Sequence, residues 1–309
     1  MVDTKRKKDS ACGCARQAEH HYALSGRKVA LDVGTIDQLV RHALVEDIGR
    51  GDITSQLTIG EDKIISSGII VNEDCVICGM PIAERVFAIV DHGISFDAKV
   101  KEGQRVKKGK VIAVVSGRAQ GILAGERVAL NLLSMLSAIA TTTRRYVDEI
   151  EPYKARITDT RKTMPGLREF QKYAVRVGGG HNHRMGLDEM ILIKDNHLKI
   201  TDGFTKLPSV PKGFKIEIEV QNIEEFKHAL RFKPDVIMLD NMDVQDIKTC
   251  VDIRNQTPFT SHHAPTKLEA SGGVDVSRVR EIAATGVDII SVGALTHSVK
   301  AIDISLDVH

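Results

Sequence analysis

The chain has 309 residues, of which 42% are hydrophobic and 27% charged, and its formal net charge is +2. That length suits one large or two medium domains, in an ordinary composition for a soluble globular protein. The near-neutral balance leaves no global field to favour nucleic acid or an anionic membrane, so neither is expected as a partner. Its five cysteines, Cys12, Cys14, Cys75, Cys78 and Cys250, are odd in number, and no apolar run follows the basic start Lys5-Arg6-Lys7-Lys8. A reduced, cytoplasmic compartment is the simplest expectation.

Residues 1–30 are polar and irregular and read as a flexible arm. Cys12-Gly13-Cys14 has no second ligand pair at zinc-site spacing and reads as two free thiols. Ile36, Leu39, Val40, Ala43 and Leu44 recur with helical period, predicting a helix over 35–45 with Thr35 as its N-cap. The glycine-rich, acidic stretch from Glu46 to Thr54 predicts a loop. Short β-prone runs follow at Ile64–Val71, Val76–Cys78, Ile94–Val100 and Lys110–Val115. The spacing of Val100, Gly103, Val106 and Gly109 resembles the turn-rich sheet of biotinyl and lipoyl carrier domains. The modifiable-lysine hairpin of such carriers is missing, so a structural β domain is expected. A long helix is predicted from about Gly121 to Ile150. Glu126-Arg127 interrupts its apolar stretch, which marks it as a buried helix rather than a membrane span.

The second half changes character. Strand-like runs at Arg156–Asp159, Met190–Lys194, Lys215–Val220, Val236–Asp240, Lys267–Ala270 and Ile289–Val292 alternate with helical ones. The helices are expected at Leu167–Val177, Ile223–Leu230, Val244–Ile253 and Val276–Ala284. Repeated β-then-α units imply a parallel sheet covered on both faces, in a closed or nearly closed α/β barrel. No G-x-G-x-x-G follows a first strand, which disfavours the open doubly wound alternative.

Polar residues cluster at the C-terminal end of each of these strands. Thr160, Arg161 and Lys162 follow the first, Lys194 ends the second, and Glu219 and Asp240 close the third and fourth. Ser271-Gly272-Gly273 and Ser291-Val292-Gly293 follow the last two. In a barrel these ends converge on one mouth, where active sites are built. The two serine–glycine loops combine small residues with free N–H groups and suit a phosphate. Arg161, Lys162, His183, Arg184 and Lys194 read as the cations of that mouth, and so many imply an anionic ligand with several carboxylates or phosphates. Glu219 and Asp240 could hold ribose hydroxyls or Mg²⁺ bound to a pyrophosphate, or pair internally with Lys162 or Lys194. His181-Asn182-His183 lacks a third ligand for a metal, and His262-His263 reads as exposed loop.

These segments resemble a known family. Asp159-Thr160-Arg161-Lys162-Thr163, with Pro165-Gly166-Leu167-Arg168, is similar to the D-T-R-K-T-x-P-G-x-R segment of quinolinate phosphoribosyltransferases. So are the run from Gly178 to Leu187, Ile193-Lys194-Asp195-Asn196-His197, Glu217-Ile218-Glu219-Val220, Leu239-Asp240-Asn241 and Glu269-Ala270-Ser271-Gly272-Gly273. Upstream, Glu46-Asp47 through Thr54 and the run from Glu126 to Asn131 also match, so the resemblance covers about residues 35–309 in order.

The resemblance implies an incomplete α/β barrel over 130–296 beside an N-terminal open β-sandwich (α+β) domain over 31–129, joined by the C-terminal 297–309. It implies transfer of phosphoribosyl from phosphoribosyl diphosphate to quinolinate with loss of CO₂, giving nicotinate mononucleotide for NAD synthesis. By the same carry-over, Arg161, His183, Arg184 and Lys194 hold the quinolinate carboxylates, and the serine–glycine loops hold the 5-phosphate. Lys162, Glu219 and Asp240 face phosphoribosyl diphosphate and its Mg²⁺ and carry the catalysis. The family forms homodimers with shared sites, in which Arg127 reaches the neighbour's pocket. A paralogue acting on nicotinate would need fewer cations, and a noncatalytic relative would be expected to lose Lys162, Glu219 or Asp240. The departures from the family pattern are the N-terminal arm, His181 and a polar insertion over about 255–266.

Overall fold

The computed structural model describes residues 31–201, 210, 213–257 and 265–308. The arm with Cys12 and Cys14, most of the 255–266 insertion, and His262-His263 lie outside the described residues.

Helix α1 (Val33–Ile48) is capped three residues earlier than expected, because the Asp32 carboxylate accepts from the Thr35 N–H at 3.0 Å. The stretch expected to be loop holds a short helix, α2 (Ile53–Thr58). Asp52 accepts from the Ser55 N–H and starts it, so a capping side chain outweighs the glycines before it. Strands β1 (Ile64–Val71) and β2 (Cys75–Val76) lead to α3 (Met80–Val90), a helix that the sequence pattern did not mark. The Glu102 carboxylate caps α3 from a distant turn, accepting from the N–H groups of Gly79 (2.7 Å) and Met80 (3.1 Å). Strands β3 (Ser95–Ala98), β4 (Arg105–Val106) and β5 (Val111–Arg118) complete this part.

Helix α4 (Ala119–Glu149) packs on α1 and α3 in its first half and on the next unit beyond. Leu133, Leu136 and Ile139 on it are wholly buried. Each such side chain contributes about 1.5–3 kcal/mol by leaving water. Among the described residues it is the one helix long and apolar enough to cross a membrane, and it serves here as the central core helix. The boundary drawn at 129/130 falls inside this unbroken helix.

The second unit runs β6 (Arg156–Thr158), α5 (Arg168–Val177), β7 (Ile191–Ile193), α6 (Asp195–Ile200), β8 (Ile216–Val220), α7 (Ile223–Leu230), β9 (Val236–Asp240) and α8 (Val244–Gln256). It continues with β10 (Lys267–Ser271), α9 (Val279–Ala284), β11 (Ile289–Ser291) and α10 (Ala294–His297). The six strands form one parallel sheet in the order β6-β11-β10-β9-β8-β7. The last strand pairs with the first, so this is the ring order of an α/β barrel lacking only the β6–β7 seam. Val236 and Ile289, from strands that are not neighbours, meet and plug the interior at one end, as a curled sheet requires. At the open seam His181 makes a single parallel bridge to Thr158.

The chain then returns to the first unit. Strand β12 (Ile304–Val308) pairs antiparallel with β1, giving the four-stranded sheet β12-β1-β5-β3, with β2-β4 as a separate pair. The fold is therefore an incomplete α/β barrel joined to an N-terminal α+β unit with antiparallel sheets.

Candidate active site

Side chains alternate along a strand, so every second residue of the barrel points inward. In the β8 sequence Ile-Glu-Ile-Glu-Val, that places Glu217 midway along the barrel and Glu219 at its mouth. In β9 and β10, register pairs Met238 with Glu269 and Asp240 with Ser271. Above this floor opens a cavity of about 560 Å³, within the roughly 300–1,000 Å³ usual for small-molecule sites.

Thr160, Arg161, Lys162, His183, Arg184, Lys194, Glu219, Asp240, Ser271, Gly272, Gly273, Ser291 and Gly293 all line this one cavity. Val292 does not. Its side chain is in the core and its N–H donates to the Thr158 carbonyl at 2.9 Å, so neither is offered to a phosphate. Arg127 lies outside the cavity on α4, with its side chain 61% exposed.

A buried hub sets the cation wall. The Asp159 carboxylate accepts from the Lys172 ammonium, from Asn182 Nδ2 and from the His183 N–H at 2.9 Å. Lys172 also donates to the His183 carbonyl at 2.9 Å. Both charged side chains are fully buried. Burial pushes the Asp159 carboxyl up and the Lys172 ammonium down, while their mutual attraction pulls both back towards the ion pair. The hub thus ties β6, α5 and the segment carrying His183 and Arg184 into one rigid block.

Arg184 donates through Nη1 to the Met190 carbonyl at 2.9 Å, but its Nε and that of Arg161 are buried without an acceptor. Burial, and then the charge of Arg161, push Arg184 below its ordinary value. Two guanidinium groups held together with unused donors call for an anion between them. Lys194 pairs with Glu219 across the mouth. This is one of the internal pairings open from the sequence.

His183 departs from the cation expected. Its Nδ1 accepts the Arg184 N–H at 2.8 Å, and burial pushes its pKa down. Both favour the neutral ring over the cation. Behind it stand Glu217 and Glu269, fully buried and not recognised as site residues from sequence. Burial raises both carboxyls to about 8. The signals available were the Ile-Glu-Ile-Glu alternation, which puts Glu217 into a barrel interior, and the motif segments that contain both residues.

The glycine loops have a steric reason. Gly272 has φ +88°, and a Cβ there would stand 2.3 Å from Asn241 Oδ1. A Cβ on Gly293 would stand 3.0 Å from His297 Nε2 and 3.1 Å from Lys162 Cδ. His297, on α10, is a further cavity residue that the sequence did not mark.

Comparison with known proteins gives the family. The profile of the quinolinate phosphoribosyl transferase N-terminal domain matches residues 52–137, and that of its C-terminal domain matches 139–307. A probable nicotinate-nucleotide pyrophosphorylase [carboxylating] of Synechocystis is 40% identical over 279 residues, 88% of this chain and 92% of its own. A quinolinate phosphoribosyltransferase [decarboxylating] of Nicotiana tabacum is 40% identical, covering 88% of this chain and 82% of its own. The nicotinate-nucleotide pyrophosphorylase structure from Francisella tularensis superposes with a TM-score of 0.84 at 40% identity, covering 92% of this chain and all of that one. This chain belongs to the quinolinate phosphoribosyl transferase family.

Proposed function

We propose that the cavity transfers phosphoribosyl from phosphoribosyl diphosphate to quinolinate with decarboxylation, releasing nicotinate mononucleotide, diphosphate and CO₂ on the way to NAD. The observation that carries this reading is the pair Arg161 and Arg184, each with a buried, unused Nε–H, beside Lys194 on the wall of one cavity. Three cations match a pyridine dicarboxylate better than a monocarboxylate such as nicotinate.

The residues divide the work. Arg161, Arg184 and Lys194 gather the two carboxylates, with His183 on the same wall. Gly272, Gly273, Ser271 and the Ser291–Gly293 loop leave room for the 5-phosphate, and Lys162 and Thr160 close that side. The pyridine nitrogen attacks the anomeric carbon as diphosphate leaves. Positive charge then grows on the ribose, and Glu219 at the mouth opposes it electrostatically. The nitrogen becomes cationic, that charge stabilises the carbanion left when CO₂ departs, and the carbanion takes a proton from water in the cavity to give nicotinate mononucleotide. Holding both reactants in place lowers the barrier by several kcal/mol, on the order of the 7–11 kcal/mol available to well-oriented reactions.

For Mg²⁺ the donor chemistry fits at Asp240. This half-exposed carboxylate takes one hydrogen bond, from Asn241 Nδ2 at 2.8 Å, which leaves hard oxygen capacity facing the cavity. Lys194 already engages Glu219, so Asp240 is the carboxylate assigned to the metal. Mg²⁺ held there would neutralise charge on the leaving diphosphate.

The protein works as a soluble, cytoplasmic homodimer or higher assembly in this reading, with Arg127 completing the neighbour's pocket. Val45, Ile53 and Leu57 on α1 and α2 are 68–81% exposed, an apolar face suited to a partner subunit. The direct test is incubation with quinolinate, phosphoribosyl diphosphate and Mg²⁺, following CO₂ and nicotinate mononucleotide. Equimolar release of both is expected, and no product from a folded protein refutes the assignment.

A further inference from the structure

We infer that His183 is a positioning residue: a neutral imidazole with its proton on Nε2, holding Arg184 on one side and a proton-sharing acid pair, Glu217 and Glu269, on the other. Only the kinetic part of its test rests on the reaction assigned above.

The backbone fixes the tautomer. The Arg184 N–H donates to His183 Nδ1 at 2.8 Å, so that nitrogen carries a lone pair and no proton. The proton of the neutral ring is then on Nε2. That atom lies 3.1 Å from Glu217 Oε2 and 3.7 Å from Glu269 Oε1. The ligating atoms of the three residues all fall within 4.8 Å of one another.

These groups expose little surface, although His183, Glu269 and Ser291 border the cavity. The His183 side chain is 5% exposed and the two glutamates are fully buried. Nε2, both oxygens of each glutamate and Ser291 Oγ lack a well-directed hydrogen bond. Two buried carboxylates so close cannot both stay ionised without a cation or a proton between them. A histidine with two glutamates is a plausible metal set by residue type. A metal would need the Nε2 lone pair, which the Nδ1 hydrogen bond takes out of play, and the Arg184 guanidinium already stands beside Glu217. A proton shared between Glu217 and Glu269 is what remains.

The surrounding charges agree. Arg184 and Lys194 face Glu217, with Glu219 on the same strand. Lys172, Asp159 and Arg184 face His183, as does Glu269. Ser291 on β11 faces Glu269. Burial pushes both glutamates up, and with their oxygens this close the pair keeps a proton between them. The floor beside Arg184 then carries one negative charge rather than two, which leaves more of the wall's positive charge for the ligand. Protonating His183 at Nδ1 would break the Arg184 N–H bond and let that arginine's backbone shift.

The test uses the full chain labelled with ¹⁵N-histidine, without substrate. Long-range ¹H–¹⁵N correlation identifies the His183 signals by their loss in His183→Gln. A lone-pair Nδ1 and a protonated Nε2 are expected, unchanged from about pH 6 to about pH 8. An imidazolium, an Nδ1–H ring or a titration in that range overturns the inference. So does a coordination shift of Nε2 on adding Zn²⁺, because it would show a metal site. In kinetics, Glu269→Gln, the neutral isostere of a protonated acid, should keep kcat/KM for quinolinate at least about ten-fold above Glu269→Leu. Equal losses in two folded variants overturn the proton-bearing role. The tautomer is read without substrate, so an inactive chain with the Nε2–H ring would sink the reaction assignment and leave this inference standing.

Discussion

Replacing Lys172 with methionine strikes the buried hub that holds the cation wall. The ammonium is wholly buried, contacts the Asp159 carboxylate, and donates to the His183 carbonyl at 2.9 Å. Removing one partner of a buried ion pair costs about 3–5 kcal/mol, because the other charge is left uncompensated. Asn182 Nδ2 and the His183 N–H still donate to Asp159, which places the loss near the lower end, about 3 kcal/mol. At about 2–4 °C per kcal/mol, the melting temperature should fall by about 6–12 °C. Calorimetry on Lys172→Met reads this directly. Adding Asp159→Asn removes the stranded charge, so the double variant should be more stable than Lys172→Met alone. Quinolinate KM should rise in Lys172→Met while that for phosphoribosyl diphosphate moves little. A shift under about 2 °C, or a double variant no better than the single one, refutes the hub as the element that sets the wall.

Arg161→Ala removes one unused guanidinium and relieves Arg184, so kcat/KM for quinolinate should drop by roughly 10–150-fold while the protein stays folded. Unchanged quinolinate affinity would remove Arg161 from the site. Gly272→Ala forces a Cβ to 2.3 Å from Asn241 Oδ1 at φ +88°, a strain of about 1–3 kcal/mol or more, and should raise KM for phosphoribosyl diphosphate selectively. The buried glutamate pair keeps a proton in the folded chain that the unfolded chain has lost, so its contribution is full below about pH 4.5 and is lost as pH rises towards about 8. Melting temperature should therefore fall between those limits, less steeply in a Glu217→Gln, Glu269→Gln double variant; equal slopes would contradict their burial as acids. Inactive Arg127→Ala and inactive Lys194→Ala chains should regain activity as hybrid dimers, and no recovery despite proven subunit exchange would argue against shared sites.

Much of the barrel was legible because its signals are local. Apolar strands alternate with amphipathic helices, and polar residues mark each strand's C-terminal end, so all the proposed mouth residues except Arg127 and Val292 meet at one cavity. Val292 misled because a loop with free-looking N–H groups spends this one on Thr158. Other features depend on distant partners. Helix α3 is capped by Glu102, more than twenty positions along the chain, and no local pattern reveals that. His183 reads as a cation beside Arg184, and only the backbone geometry brings the Arg184 N–H onto its Nδ1. Glu217 and Glu269 were visible as motif letters, yet their importance follows from strand register, which brings acids from β8 and β10 to face each other inside the barrel.

A crystal structure with quinolinate bound gives the most direct answer. Both carboxylates should lie against Arg161, Arg184 and Lys194, with the ring nitrogen turned towards the space between Glu219 and Asp240. Density for quinolinate elsewhere on the chain, or bound with those three side chains left solvated, contradicts the account.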